Sequence, residues 1–193
     1  MQNSIMGKRF YYNFLITLFL FSLFLVPHVF AEKKLKSEKN ETQNIKKQIK
    51  LKEIRSKDGR FIDNENGTIT DTKTDLMWAK TDSYSDLGSC LGWDESRKYV
   101  IRLSTAGYSD WRMPTVKELK SIFDKSKSNQ DESGSAFHLD PIFAPGSGYW
   151  QWSSEEVGAC CARFMLFSNG DILEYTRECF FTGGVRAVRQ GKR

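Results

Sequence analysis

Four cysteines are the residues of this chain best suited to covalent chemistry: Cys90, Cys160, Cys161 and Cys179. An even count is typical of disulfides in an oxidising compartment. A bond between the neighbours Cys160 and Cys161 would strain the backbone, so we expect none. The sequence thus predicts two disulfides, in which Cys90 pairs with one neighbour and Cys179 with the other. A zinc site is disfavoured because no C-x-x-C spacing is present.

Acid–base chemistry has few candidate residues. Beyond residue 31 the only histidine is His138, and no G-x-S-x-G motif accompanies it, so a serine hydrolase is not indicated. The lectin calcium motifs Glu-Pro-Asn, Gln-Pro-Asp and Trp-Asn-Asp are also absent. We therefore expect no enzyme activity, no cofactor and no bound metal. Candidates for ligand contact lie in or beside a long segment without periodicity: Asp131, Glu132, His138, Asp140, Trp152, Glu155 and Glu156.

Charge is unevenly distributed along the 193 residues. Residues 32–57 hold ten Lys and Arg against four Asp and Glu, whereas residues 58–193 hold 17 against 20. The net charge of +5 therefore comes from the N-terminal quarter and not from the region that can fold. A basic face for nucleic acid is not indicated.

The N-terminal region has the features of an export signal. Lys8 and Arg9 precede the apolar stretch Phe14–Val26, and Val29-Phe30-Ala31 resembles a cleavage site. We predict a signal peptide over residues 1–31 and an exported protein, either periplasmic, at the cell surface or secreted. An uncleaved membrane anchor is the alternative, but the apolar stretch is short for a spanning helix.

Residues 32–57 are rich in Lys, Glu, Asn and Gln, a composition that buries too little surface to fold alone. We predict a charged flexible tether there. Its basic charge could also contact anionic polysaccharide or lipid headgroups.

The remaining residues, 58–193, predict one domain. Hairpins are expected around Asn66-Gly67 and Asn169-Gly170, because Asn-Gly favours tight turns. Two helices are expected, one from Trp93 and one capped by Thr115 with Glu118. Residues 126–148 predict a long loop. Strands, then helices, then strands favour an α+β fold with an antiparallel sheet.

Several ordered motifs in residues 60–190 resemble the Lcl C-terminal domain family. They are Asn66-Gly67-Thr68, Leu76-Met77-Trp78, Gly107–Thr115, Trp152-Ser153-Ser154, Phe167–Gly170 and Val185–Arg189. The resemblance implies a C-type lectin-like fold, in which the N- and C-terminal strands pair and a long loop region presents the ligand surface. The family's namesake is the tip of a collagen-like adhesin that binds sulfated polysaccharides. This chain has no Gly-x-y stalk, so trimer formation does not carry over.

We expect the family-motif residues to be structural: Gly107, Asp110, Trp111, Arg112, Pro114, Arg186 and Arg189. Asp110 and Arg112 are predicted to form an ion pair. Arg186 and Arg189 are three apart on a strand, so they should face opposite sides of the sheet.

The resulting hypothesis is an exported, non-enzymatic binding module that recognises polysaccharide or a surface component through residues 126–156. One alternative is a cysteine-dependent oxidase related to formylglycine-generating enzymes, which share the lectin-like fold. Another is a periplasmic structural protein. The oligomeric state and the identity of the ligand stay open.

Overall fold

A computed structural model describes residues 32–44, 53–131 and 133–191, which belong to two compact units, residues 1–52 and 53–193. The predicted signal peptide and the candidate Glu132 lie outside the described residues. Within the described ranges, no helix is both long enough and apolar enough to cross a bilayer.

Two parts of the predicted tether lie within the described residues. Residues 32–44 form a helix, α1, whose side chains are all exposed. Residues 45–52 lie outside the described part. The last residues of the predicted tether belong to the domain, because Ile54–Arg55 already pairs with the next strand. The compact unit accordingly starts at Glu53, five residues before the predicted boundary.

The second unit is an α+β domain, as predicted. Its elements are β1 (Ile54–Arg55), β2 (Phe61–Asp63), β3 (Thr68–Asp71), β4 (Leu76–Ala79), α2 (Ser83–Leu87), α3 (Trp93–Arg102), a 3₁₀ turn (Thr105–Gly107), α4 (Val116–Ile122), β5 (Asn129–Gln130), β6 (Ala136–Phe137), β7 (Trp150–Val157), β8 (Cys161–Leu166), β9 (Ile172–Thr176), β10 (Gly183–Gly184) and β11 (Val188–Gln190).

Two main sheets build the domain. The first has the order β1-β2-β3-β4-β11 and is antiparallel throughout, so the last strand of the chain completes the N-terminal sheet. The second has the order β10-β7-β8-β9; only the short pair β10 and β7 is parallel. Both predicted Asn-Gly hairpins are present, β2–β3 and β8–β9.

Each main sheet contributes to a buried aromatic cluster. One contains Trp78, Phe137, Phe143 and Phe167, and the other is centred on the second sheet and α3. Phe137 and Phe143 come from the predicted long loop, which also forms the small hairpin β5–β6. Burial of these rings ties the irregular segment to the core, because large aromatics contribute strongly to core stability.

Helix α4 begins with the capping box that its sequence predicts. The Thr115 hydroxyl accepts from the backbone N–H of Glu118, and the Glu118 carboxylate accepts from the backbone N–H of Thr115. The cap therefore satisfies two donors that the helix end leaves without intrahelical partners.

Loss of this cap should destabilise the domain measurably. We expect Thr115→Ala to lower the free energy of unfolding by about 1 kcal/mol, because it removes the side-chain acceptor. Urea denaturation of the full chain measures the change. Lys120→Ala, an exposed position on the same helix, is the control and should change stability by less than about 0.5 kcal/mol. Equal losses in both variants would contradict the capping role.

Candidate ligand-binding surface

Two of the predicted ligand residues are buried acids that hold the long loop together. Asp131 accepts from the backbone N–H of Ser133 at 3.0 Å. Asp140 forms an ion pair with Lys127 at 2.9 Å and accepts from the backbone N–H of Ile142. Both carboxylates are thus buried and held by loop contacts. Their contact with a ligand stays a prediction.

Two predicted ring residues are also structural. Trp152 is fully buried and donates its indole N–H to the Leu91 carbonyl, so it does not reach the surface. Strand β7 turns this ring into the core, and its contact with a ligand stays a prediction. His138 is half-buried, with Nδ1 3.0 Å from the Lys127 carbonyl and its ring edge-on to Phe123. It is held by the fold.

Glu155 and Glu156 lie near the end of β7 and diverge, as consecutive strand residues do. Glu155 accepts from the backbone N–H of Val116, at the start of α4. Glu156 pairs with Arg177 at 2.5 Å and borders a groove described below. Of the predicted ligand residues in the described part, Glu156 lines this groove, and Asp140 lines a second cleft beside Lys127 and β1.

All four cysteines form disulfides, but the predicted pairing is wrong. The bonds join Cys90 to Cys179 and Cys160 to Cys161. The backbone N–H of Trp93 donates to the Arg177 carbonyl, and this contact brings Cys90 and Cys179 together with a Cα–Cα distance of 5.9 Å. The neighbouring pair bonds where the turn after β7 meets the first residue of β8.

The expected ion pair between Asp110 and Arg112 is absent, and each residue has another partner. Arg189 donates from two guanidinium nitrogens to Asp110, at 2.7 and 3.0 Å, and these hydrogen bonds hold the pKa of Asp110 below its usual value. Arg112 forms a fork with Glu118, whose carboxylate raises the pKa of the guanidinium. The prediction is wrong because Arg112 pairs through its backbone with Val188, while its side chain reaches α4.

Arg186 is buried in the core, and its contacts are separate from those of Arg189. Its guanidinium donates to the carbonyls of Ala79 and Lys80, at 3.0 and 2.6 Å, and to the hydroxyl of Ser147 at 2.5 Å. The same group lies 5.2 Å from the centre of the Phe143 ring. Burial lowers its pKa. Arg186 therefore joins the end of β4 to the long loop.

An open groove lies between helix α3, the segment 111–115 and the end of β7. We call it the α3 groove; its volume is about 500 Å³. Its lining residues are Trp93, Arg97, Val100, Ile101, Trp111, Arg112, Met113, Thr115, Ser154 and Glu156. The floor is apolar, since Trp93, Val100, Trp111 and Met113 are buried members of the second core cluster. The exposed side chains at its edge are polar or charged, apart from Ile101.

The charges at the edge of the groove differ in availability. Glu156 is neutralised by Arg177, whose guanidinium stacks 4.8 Å from the centre of the Trp93 ring. Arg112 is paired with Glu118 but keeps nearly half of its side chain exposed. Arg97 is exposed and has no carboxylate partner among the described residues. A ligand in the groove would therefore meet one free guanidinium and one paired guanidinium.

An apolar floor with a few convergent polar groups is the usual form of a small-ligand site. The apolar face of a sugar ring can lie on such a floor, while its hydroxyl or acidic groups accept from the arginines and its hydroxyls donate to Glu156 or Ser154. Neither Arg97 nor Trp93 is a candidate of the sequence analysis. The sequence signal that could have identified them is helical spacing, because residues 93, 97, 100 and 101 share one face of a helix.

The fold and the groove define a disulfide-linked α+β domain with an antiparallel core and a solvent-open cleft. A family model of the Lcl C-terminal domain matches residues 67–189, which is well over half of the chain. The chain belongs to the Lcl C-terminal domain family. The match runs from the β2–β3 turn into β11 and includes the groove segment 111–115. Comparison with curated proteins found no match.

Proposed function

We propose that this protein is an exported, non-enzymatic binding module, and that the α3 groove binds a saccharide unit of a polysaccharide at a cell or envelope surface. The observation that carries the proposal is Arg97, which is exposed and has no ion-pair partner in the described part of the chain, beside a floor built on Trp93 and Trp111. Two disulfides support export, because such bonds persist in oxidising compartments.

The cysteine-dependent alternative has less support. A reactive thiol must be free and deprotonated to attack a substrate. In the described residues all four cysteines are bonded to one another. An oxidase would therefore first need one of these disulfides to be reduced, whereas a binding module needs no such step.

The binding proposal predicts a large effect of one exposed arginine. We expect Arg97→Ala to weaken binding to the best polysaccharide on a glycan array by about tenfold or more, because it removes a charge-assisted hydrogen bond. Dissociation constants are then measured for the full chain by calorimetry. Lys98→Ala is the matched control: it removes the same charge from the next exposed position of α3, outside the groove.

The control separates specific recognition from general attraction. If both variants lose affinity equally, net charge and not the groove governs binding, and the proposed site is wrong. If the wild-type chain binds no polysaccharide on the array, the saccharide proposal fails. If a bound oligosaccharide is recovered chemically altered, the protein is an enzyme.

A further inference from the structure

A second surface, separate from the α3 groove, combines exposed apolar side chains with an open sheet edge. Strand β9 is the last strand of its sheet, and Leu173 and Tyr175 on it are 43% and 50% exposed. Phe181, in the connection that follows, is 87% exposed. We call Leu173, Tyr175, Phe181 and the outer edge of β9 the β9 surface.

The ring of Phe181 is held in solvent by an unusual backbone. Its φ of +52° lies in the left-handed region, which costs free energy for a residue with a side chain. Two residues earlier, Cys179 fixes the connection through its disulfide to Cys90. The neighbouring Phe180 packs inward, 4.5 Å from Trp150 and 4.5 Å from Tyr175, measured between ring centres. The exposed rings therefore continue the buried aromatic cluster to the surface.

The outer edge of β9 presents free main-chain groups. The amide of Leu166 donates to Asp171, and that of Arg177 donates to Cys160, so residues 171, 173, 175 and 177 bond inward to β8. The N–H and C=O groups of Ile172, Glu174 and Thr176 must then point outward. No described strand pairs with them. Proteins commonly protect such edges with charged side chains, Pro or a bulge. Strand β9 has no Pro and no bulge, and its one charged residue, Glu174, is paired with Arg163.

A β-strand added at the outer edge of β9, with an apolar residue at every second position, would match both the free main-chain groups and the exposed apolar side chains. It would bond to the outward main-chain groups and cover Leu173 and Tyr175 with every second side chain. Strand β9 itself has this alternation, with Leu173 and Tyr175 on one face and Glu174 and Thr176 on the other. The surface is therefore complementary to its own copy, which is the condition for a two-fold symmetric interface.

We propose that two copies of this chain pair through antiparallel β9 strands, with Tyr175 opposite Tyr175 of the second copy. In this register the outward-facing Glu174 lies opposite Thr176 of the second copy, and the two pairs form four main-chain hydrogen bonds. A register centred on Glu174 would place like charges opposite each other. The charge of Glu174 is already balanced by Arg163 at 3.0 Å, so the proposed edge carries no net repulsion.

The aromatic groups favour the same register. Centring on Tyr175 places the two tyrosine rings side by side, as cross-strand aromatic pairs do. It also brings the Phe180–Phe181 connection of each copy, which packs at Tyr175, close to the symmetry axis. A register centred on Leu173 would move these rings apart. The inference does not depend on the polysaccharide proposal, since none of these residues lines the α3 groove.

Cysteine cross-linking tests both the pairing and its register. Residues directly opposite in a non-hydrogen-bonded pair have close side chains, so we expect Tyr175→Cys in the full chain to form a covalent dimer under mild oxidation. Leu173→Cys, on the same face, is the matched control and should give at least tenfold less dimer. Peptide mapping without reductant verifies that the four native cysteines keep their bonds. Preferential cross-linking at Leu173, or equal cross-linking at both positions, would overturn the proposal.

A proline variant tests the role of the main chain without new thiols. The N–H of Thr176 points away from β8, so Thr176→Pro removes no bond of the monomer's own sheet. Light scattering should show a concentration-dependent dimer for the wild-type chain, and a dimer dissociation constant raised at least tenfold for Thr176→Pro. Circular dichroism verifies that the variant is folded. A wild-type chain that stays monomeric at every concentration, or a folded proline variant that dimerises normally, would refute the proposal.

Discussion

Replacing Cys90 and Cys179 together by serine is expected to lower the free energy of unfolding by about 4 to 5 kcal/mol. The disulfide joins residues 89 positions apart, so its loss frees a very long loop in the unfolded chain. Loop-closure entropy grows with the logarithm of loop length, which puts this bond near the upper end of the usual range. In the native state the bond also fixes the connection that carries Phe180 and Phe181.

The second disulfide provides a matched control with the same number of substitutions. Cys160 and Cys161 are neighbours, so their bond closes no loop of the main chain and adds almost no loop-closure entropy. We expect the double serine variant at these positions to lose less than about 1 kcal/mol. Urea denaturation of both variants and of the wild-type chain measures the difference. Similar losses in the two variants would contradict the loop-entropy argument.

The helices and strands of this domain were predictable from the sequence where the signal lies within a few neighbouring residues. Turn residues at Asn66-Gly67 and Asn169-Gly170 predict both hairpins, and Thr115 with Glu118 predicts the start of α4. These signals act over two to four residues, so the nearby sequence contains all the information needed. The short helix α2 begins at an Asp82 cap, a local signal that the sequence analysis missed.

Long-range partners were not predictable in the same way. Asp110 and Arg112 are close in sequence and carry opposite charges, yet their partners are Arg189 and Glu118. The predicted cysteine pairing was wrong for the same reason. Positions 90 and 179 are far apart in sequence, and the packing of α3 against the second sheet brings them together. Side-chain direction in the folded state decides such contacts, and one sequence alone does not specify it.

The predictions for the candidate site also depend on whether the signal in the sequence is local or long-range. The loop segment 126–148 looked like a ligand surface because it is polar and irregular, but Asp131 and Asp140 are buried and hold the loop to the core. Polar residues in a long loop must satisfy its main-chain groups before they can serve a ligand. The groove was accessible to prediction only through helical spacing, which places Arg97 one turn after Trp93.

Arg186 provides the second large predicted effect, because its charge is buried and shared among neutral acceptors. We expect Arg186→Met, which keeps much of the side-chain volume, to lower the free energy of unfolding by about 2 to 4 kcal/mol, because it leaves buried acceptors without a donor. Three acceptors would lose this donor, namely the carbonyls of Ala79 and Lys80 and the hydroxyl of Ser147; of these, the Lys80 carbonyl keeps the backbone N–H of Ala144. An unsatisfied buried polar group costs about 1 to 3 kcal/mol.

Arg189→Met is the matched comparison, because Arg189 is also a buried arginine. Its partner Asp110 is largely exposed, so water can replace the lost ion pair, and the expected loss is about 1 kcal/mol or less. Chemical denaturation should rank the free energies of unfolding of these two variants and of a third, Arg186→Lys. The third keeps the charge but not the planar fork. We expect Arg186→Met to be the least stable of the three. If Arg186→Met were as stable as Arg189→Met, the three acceptors would have to find water or other donors. The connection between β4 and the long loop would then not depend on Arg186.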